Sequence, residues 1–200
     1  MNGIRSLIIL SIIMFCLSGA IPVKTFPQEP PMLSIELKAK TTSIGVMEQA
    51  KVDVIISNRG SDPVVLVRPG DGSERELRTP LIKWLIEPVP GEGSAEGILR
   101  TVMNCGNINA LRREEIFTLA PGQSENLPMS VWAVFSKPGK YRVRFEYENR
   151  PLMEWGGIVL GQHHEGTMLR VRESTACKLT SNEVIFVVTE GQMEATGKSR

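Results

Sequence analysis

The sequence is poor in the residues that build metal and redox sites, with three cysteines and two histidines among 200 residues. Structural zinc sites use paired ligands at spacings such as C-x₂-C, and this sequence contains no such pair. His163 and His164 are adjacent, and adjacent side chains on a strand or a helix diverge, so both rarely bind one ion. The pattern therefore predicts neither a metal site nor a cofactor.

An excess of one charge is also missing, since 23 basic residues face 22 acidic ones. Nucleic-acid-binding domains usually carry a basic excess, so we expect no nucleic-acid partner. With 42% hydrophobic residues the chain is too apolar for a disordered protein. Its 18 glycines and 13 prolines favour short strands joined by turns over long helices.

The first twenty residues have the layout of a secretory signal peptide. Arg5 precedes an apolar run over 7–17, and small residues end the segment at Ala20, which predicts cleavage after that residue. The run is shorter than the ~18–20 residues of a spanning helix, so we expect no membrane span after cleavage. A lipoprotein that used Cys16 would need a small residue in place of Phe15. The sequence thus predicts a secreted or periplasmic protein.

Cleavage would leave two cysteines, Cys105 and Cys177. Because compartments outside the cytoplasm are oxidising, we expect these two to form a disulfide. The same argument disfavours Cys105 as a catalytic thiol.

Nine stretches have the composition and alternation of β-strands. They cover 33–37, 52–56, 63–67, 81–86, 98–103, 116–119, 130–135, 140–148 and 183–189. The polar turn at 58–62 predicts a hairpin or an edge crossing. Residues 140–148 alternate like a strand with one wet face, whereas 183–189 is almost continuously apolar and predicts a strand covered on both sides. Together these stretches indicate an all-β sandwich or barrel.

One short helix is predicted over His164–Glu173, with an apolar stripe of Met168, Leu169 and Val171 packed against the sheet. Residues 21–31 contain four prolines and predict an extended tether, and 191–200 predicts a flexible tail. Between them, 32–190 predicts a single domain. This domain is longer than a minimal immunoglobulin-type sandwich, and the additional residues lie in the loops 68–80, 87–114 and 149–181.

A Pro-Gly turn at Pro138-Gly139 delivers Tyr141 to the start of a strand. This resembles the tyrosine corner of immunoglobulin-like and fibronectin-type-III-like modules, and the chain is similar to bacterial extracytoplasmic domains of that kind. The resemblance implies an immunoglobulin-like antiparallel β-sandwich with long loop insertions, in which the Tyr141 hydroxyl bonds to backbone. Val143 stands where an antibody domain has its second core cysteine, so no central disulfide is implied. Trp84, inside the fourth predicted strand, is expected to be structural.

Candidate chemistry is sparse. A metal site on His163, His164 and Glu165 is disfavoured by ligand spacing, and that segment fits a polar loop before the helix. The stretch 68–76 lacks the ligand pattern of a calcium loop and fits a solvated turn. The third loop combines an aromatic, titratable groups and hydrogen-bond donors, which predicts a binding surface. Its members are Trp155, His163, His164, Glu165, Arg170 and Arg172.

Three functions remain open from the sequence. The first is an exported, non-catalytic sandwich module that binds a partner or serves a structural role at the cell envelope. The second is a proteinase inhibitor that presents an extended loop, either 68–80 or 87–97. The third is a metal-dependent hydrolase built on the histidine segment. The first is favoured because it requires no feature that the sequence lacks.

Overall fold

The computed structural model describes residues 32–100, 111–153 and 165–190, with Glu165 described by its backbone alone. These residues belong to one compact unit. Within them lie one α-helix, α1 (Glu165–Arg172), three single-turn 3₁₀ helices and eleven strands. The strands are β1 (Leu33–Ala39), β2 (Ser43–Gly45), β3 (Gln49–Asn58), β4 (Val64–Val67), β5 (Leu81–Pro88), β6 (Ile98–Arg100), β7 (Ile116–Leu119), β8 (Ser124–Phe135), β9 (Gly139–Asn149), β10 (Cys177–Thr180) and β11 (Val184–Thr189). No helix in these ranges is long and apolar enough to cross a membrane.

Two sheets form the body of the domain. In the first, the strand order is β1-β3-β8-β6, with antiparallel neighbours. In the second, β9 pairs with β5 on one side and with β10 and β11 on the other, and β2 adds in parallel to β11. Residues from both sheets share one buried cluster, which includes Val52 and Val54 of the first sheet and Phe145 and Phe186 of the second.

The strand order is that of an immunoglobulin-like sandwich. In that fold the first, second, fifth and fourth strands share one sheet, and the third, sixth and seventh share the other. In this chain the four-stranded sheet corresponds to β1, β3, β8 and β6, in that order. The three-stranded sheet corresponds to β5, β9 and β11. The remaining strands and α1 are additions to this frame, and β4 and β7 form a separate antiparallel pair.

The turn at 58–62 crosses between sheets and does not close a hairpin, because β3 pairs with β1 and β8 while β4 pairs with β7. The buried side chain of Asn58 stabilises this turn through hydrogen bonds. Its amide donates to the carbonyls of Asp62 at 2.8 Å and Leu119 at 3.0 Å, and its oxygen accepts from the Gly60 N–H at 3.0 Å. A buried asparagine with these partners is satisfied, which fixes the crossing.

The prediction that 183–189 is covered on both sides is wrong. Phe186 and Val188 are buried, but Ile185 is 44% exposed and Val187 is 39% exposed. The second sheet has one solvent-facing side, and β-branched residues suit a strand even where they face water.

The helix begins and ends within the predicted stretch, but its buried face differs. Val171 and Thr167 are buried, Met168 is half-buried, and Leu169 is 56% exposed. Positions four apart share a helix face, so the pair 167 and 171 faces the domain, whereas the predicted stripe included Leu169. Val171 packs with Val67, Leu111 and Ile116, which attaches α1 to the β4–β7 pair.

Candidate functional site

The binding surface predicted on the third loop lies only partly within the described residues. Trp155, His163, His164 and the side chain of Glu165 fall outside them, so their grouping with α1 stays a prediction. Arg170 and Arg172 lie in the last turn of α1, the first half-buried and the second exposed. Cations at this end of a helix oppose the negative end of its dipole, which gives both arginines a structural role.

Cys177 lies in β10 with a free thiol, and Cys105 falls outside the described residues, so the predicted disulfide stays a prediction. Burial raises the pKa of the Cys177 thiol to about 11. The thiolate is the nucleophilic form of cysteine, so this thiol is weakly reactive near neutral pH.

In the described part of the chain, no three His, Cys, Asp or Glu side chains come together as a metal site. The hydrolase alternative rests on His163 and His164, which lie outside that part, and it stays untested.

The loop 68–80 is folded against the domain and is not an exposed, extended inhibitor loop. Ser73, Arg78 and Thr79 are buried. The Arg78 guanidinium donates to a carboxylate oxygen of Glu115 at 3.2 Å and to the carbonyl of Arg68 at 3.4 Å. A buried arginine needs such partners, and they keep this segment in place.

The other candidate inhibitor loop, 87–97, folds back onto the start of β9 and the turn before it. The Val89 N–H donates to the Lys140 carbonyl at 2.9 Å, and the Lys140 N–H donates to the Glu92 carbonyl at 2.7 Å. Ion pairs of Glu92 with Lys140 and of Glu96 with Lys137 add to this attachment. The loop is therefore a compact turn.

Tyr141 has the geometry of a tyrosine corner. Its side chain is fully buried in β9, and its hydroxyl donates to the carbonyl of Lys137 at 2.9 Å. Trp84 of β5 is buried as well, with its ring centroid 4.7 Å from that of Phe145. Both residues build the core.

A second buried tyrosine, Tyr147, was not singled out from the sequence. Its hydroxyl donates to the carbonyl of Val67 at 2.8 Å and accepts from the N–H of the same residue at 3.3 Å. Burial raises the pKa of Tyr147 well above its ordinary value. This residue joins β9 to β4 through a neutral hydroxyl.

A bulge in β8 shapes the surface beside this strand. Gln49 and Lys51 of β3 pair with Val134 and Ser130, so β8 carries two additional residues between these pairs. Bulges bend a strand and redirect its side chains. Trp132 lies in this bulge and is half-buried.

A groove of about 300 Å³ lies beside the bulged strand, and we call it the β8 groove. One wall is the segment 127–130 together with Trp132, and the other is Arg68 and Pro69 at the end of β4. Leu127 is buried, and Met129 and Trp132 pack partly against the core. The core therefore supports the apolar side chains of this wall.

Arg68 is held in place as a wall of the groove. Its guanidinium pairs with the carboxylate of Glu125 and lies over the Phe117 ring, with 5.1 Å from Cζ to the ring centroid. Its N–H donates to the Glu115 carbonyl at 2.6 Å. Because Glu125 neutralises the guanidinium, the groove presents little net charge at this end.

The backbone groups of β8 beside the groove alternate between the two edges of this strand. The Asn58 N–H at the end of β3 donates to the Gln123 carbonyl, so the odd-numbered residues at the start of β8 direct their backbone groups toward β3. Asn126, Pro128 and Ser130 therefore direct theirs to the opposite edge. On that edge β6 pairs with 133–135, and the residues that follow β6, 101–110, lie outside the described part of the chain.

Comparison with known proteins adds only weak likeness. No family model matches the chain, and no curated protein does. Among solved structures, the CARDB domain of a Pyrococcus furiosus protein, determined in complex with di-metal ions, has a TM-score of 0.36 at 15% identity, over 82% of this chain and 97% of that one. The sporulation control protein Spo0M of Bacillus subtilis has a TM-score of 0.37 at 11% identity, over 80% of this chain and 49% of that one. These scores are too low to support an inference about function, and the fold assignment rests on the strand order above.

Proposed function

We propose that this protein is an exported, non-catalytic immunoglobulin-like module that binds a protein partner in the cell envelope through the β8 groove. The observation that carries the proposal is the groove itself, in which the half-buried apolar side chains of Met129 and Trp132 lie beside Arg68 and Pro69. Tryptophan and arginine are among the residues enriched at the centres of protein recognition sites, and this groove contains one of each.

The expected binding energy comes mainly from Trp132 and Met129. Both are half-buried, so each has apolar surface left to remove from water. Burial of such surface contributes roughly 25 cal/mol per Å², and aromatic side chains bury large areas at low entropic cost. Trp132 is therefore the residue on which partner affinity should depend most.

A binding role agrees with the state of the reactive groups that the structure describes. The thiol of Cys177 is kept neutral because burial raises its pKa to about 11. The hydroxyl of Tyr147 is likewise neutral and is engaged by Val67. These groups stabilise the core and are unsuited to nucleophilic attack.

Export is supported by the signal-peptide layout of residues 1–20. The mature N-terminus should lie near Ile21, which sequencing of the protein recovered from the source cells tests. Recovery of the intact N-terminus from the cytoplasmic fraction would contradict export.

Crosslinking in the source envelope tests binding. The wild type and a Trp132→Ala variant are compared, with Leu152→Ala as the matched control, because Leu152 is an 83% exposed apolar residue outside the groove. The proposal expects a defined partner that the tryptophan variant loses by at least about tenfold and the control retains. Equal capture by all three proteins would overturn it.

A further inference from the structure

The solvent-facing side of the second sheet carries its charges in two blocks along β9. The residues of this strand that alternate with the buried ones are Lys140, Arg142 and Arg144, followed by Glu146 and Glu148. Among the described residues, the side chains of Arg144 and Glu146 have no hydrogen-bond or ion-pair partner. We infer that this side of the sheet packs against the same side of a second copy of the chain, with Arg144 of each copy against Glu146 of the other.

A two-fold axis that crosses β9 at Phe145 produces this arrangement. The axis lies between the two facing sheets, perpendicular to the strands, so β9 of one copy runs opposite to β9 of the other. Residues two apart on a strand are separated by about 6.6 Å, so the rotation brings Arg144 over Glu146 of the second copy, and the reverse contact follows by symmetry. An axis along the strands would place Arg144 over Arg144, which like-charge repulsion disfavours.

The flanking strands present complementary side chains under the same rotation. On β5, Leu85 and Lys83 lie in register with the two central charges, so Leu85 of each copy comes over Lys83 of the other. On the other side of β9, Ile185, which is 44% exposed, comes over Lys178. Both contacts join an apolar side chain to the aliphatic stem of a lysine, which removes apolar surface from water and leaves the ammonium group hydrated.

The charges of the existing ion pairs on this side of the sheet are matched within the chain itself. These pairs are Lys140 with Glu92, Glu148 with Arg150 and with Lys178, and Arg142 with Glu183. On β9 they leave one basic and one acidic side chain, Arg144 and Glu146, for an outside partner. A second copy provides the matching pair in the matching order, whereas a purely acidic partner would be repelled by Glu146.

The contact is small, so we expect a weak dimer. Residues 140–148 extend over roughly 26 Å and three adjacent strands cover roughly 15 Å, an area about half of the ~800 Å² per partner of a standard interface. The expected dissociation constant at low salt lies between about 10 μM and 1 mM. Because salt screens exposed charges, the dimer should be at least about tenfold weaker in about 0.5 M salt. Sedimentation of the purified protein measures both values.

Charge reversal tests the central contacts. In a symmetric dimer Arg144→Glu or Glu146→Arg turns two attractive contacts into two repulsive ones, so each variant alone should dimerise at least about tenfold more weakly than wild type. An equimolar mixture of the two variants restores opposite charges at both contacts, and it should form a heterodimer within about threefold of the wild-type affinity. The control is Lys51→Glu, at an exposed position of the first sheet, which changes the net charge as Arg144→Glu does and should dimerise like wild type. Thermal melting shows whether the variants remain folded.

Three results would overturn the inference. They are a wild type that stays monomeric up to about 1 mM at low salt, a dimer that neither charge reversal weakens, and a mixture of the two folded variants that stays monomeric. The β8 groove lies beside the first sheet, so none of these results decides whether a partner binds there.

Discussion

The side-chain amide of Asn182 pairs with both backbone groups of Leu37. Its oxygen accepts from the Leu37 N–H at 2.7 Å, and its nitrogen donates to the Leu37 carbonyl at 3.1 Å. Leu37 lies on β1, the outer strand of the first sheet, whereas Asn182 lies between β10 and β11 of the second. One side chain thus takes the place of a neighbouring strand and joins the two sheets.

Replacement of Asn182 by alanine should lower the free energy of unfolding by about 1–2 kcal/mol. It removes two hydrogen bonds to Leu37, but the site is exposed enough for water to replace part of them. Urea unfolding measures the change. Thr180→Ala, at an exposed position of the neighbouring β10, is the control and should stay within about 0.5 kcal/mol of wild type. Equal losses in the two variants would contradict the pairing.

The two buried tyrosines should respond differently to phenylalanine. Tyr141→Phe leaves one backbone acceptor, the Lys137 carbonyl, without its donor, and should cost roughly 1–3 kcal/mol. Tyr147→Phe leaves both the carbonyl and the N–H of Val67 without a partner, so it should cost more. Parallel denaturant titrations give the order. A smaller loss for Tyr147 than for Tyr141 would show that the Val67 contact contributes little.

The sequence predicts much of the sandwich because alternation reports which strand faces are buried. In β9, Tyr141, Val143, Phe145 and Tyr147 alternate with charged residues, and all four are fully buried. The Pro-Gly turn before β9 identified the tyrosine that holds the corner. β2 and β10 were missed, since strands of three and four residues are too short to show a period.

The β8 groove could not be predicted in the same way. It depends on two additional residues in β8, and a pairing register is a property of two strands that the pattern of one does not reveal. Its second wall, Arg68, is fixed by Glu125 from a distant part of the chain. Only the apolar and aromatic content of 127–132 was visible, and it fits a core strand equally well.

A methyl group at Gly97 should disturb the tyrosine corner. A Cβ there would overlap the Tyr141 hydroxyl and lie 3.1 Å from the Lys137 Cβ, so Gly97→Ala should cost about 1–3 kcal/mol. Gly166→Ala, where the added carbon meets open space in α1, is the control and should be neutral or stabilising.

A double-mutant cycle tests whether the overlap with Tyr141 causes that loss. In a Tyr141→Phe background the oxygen is gone, so Gly97→Ala should cost at least about 0.5 kcal/mol less than in the wild type. Full additivity in the unfolding free energies would place the cost elsewhere, for instance at Lys137.

The Cys177 thiol of the reduced protein should react slowly with alkylating agents. A pKa of about 11, compared with the ordinary 9.0, lowers the thiolate fraction at pH 8 by about 100-fold, and burial limits access further. Timed alkylation followed by mass spectrometry measures the rate, and the same reaction in concentrated urea provides the unhindered reference.

The same spectra taken without reductant test the predicted disulfide between Cys177 and Cys105. Two free thiols in the native protein would refute it.

The raised pKa of Cys177 also makes stability fall in alkaline solution. Below about pH 9 the thiol is protonated in both the folded and the unfolded chain, so it adds no pH dependence. Between pH 9 and 11 the unfolded chain loses this proton first, which should lower the free energy of unfolding by at most about 1.4 kcal/mol per pH unit. Tyr147 acts in the same direction at higher pH, since burial raises its pKa as well.

The difference in unfolding free energy between reduced wild type and Cys177→Ala isolates the contribution of the thiol. This difference should change across pH 9–11 and stay constant below pH 9. A difference that does not vary with pH would show that the thiol ionises as easily in the folded chain as in the unfolded one.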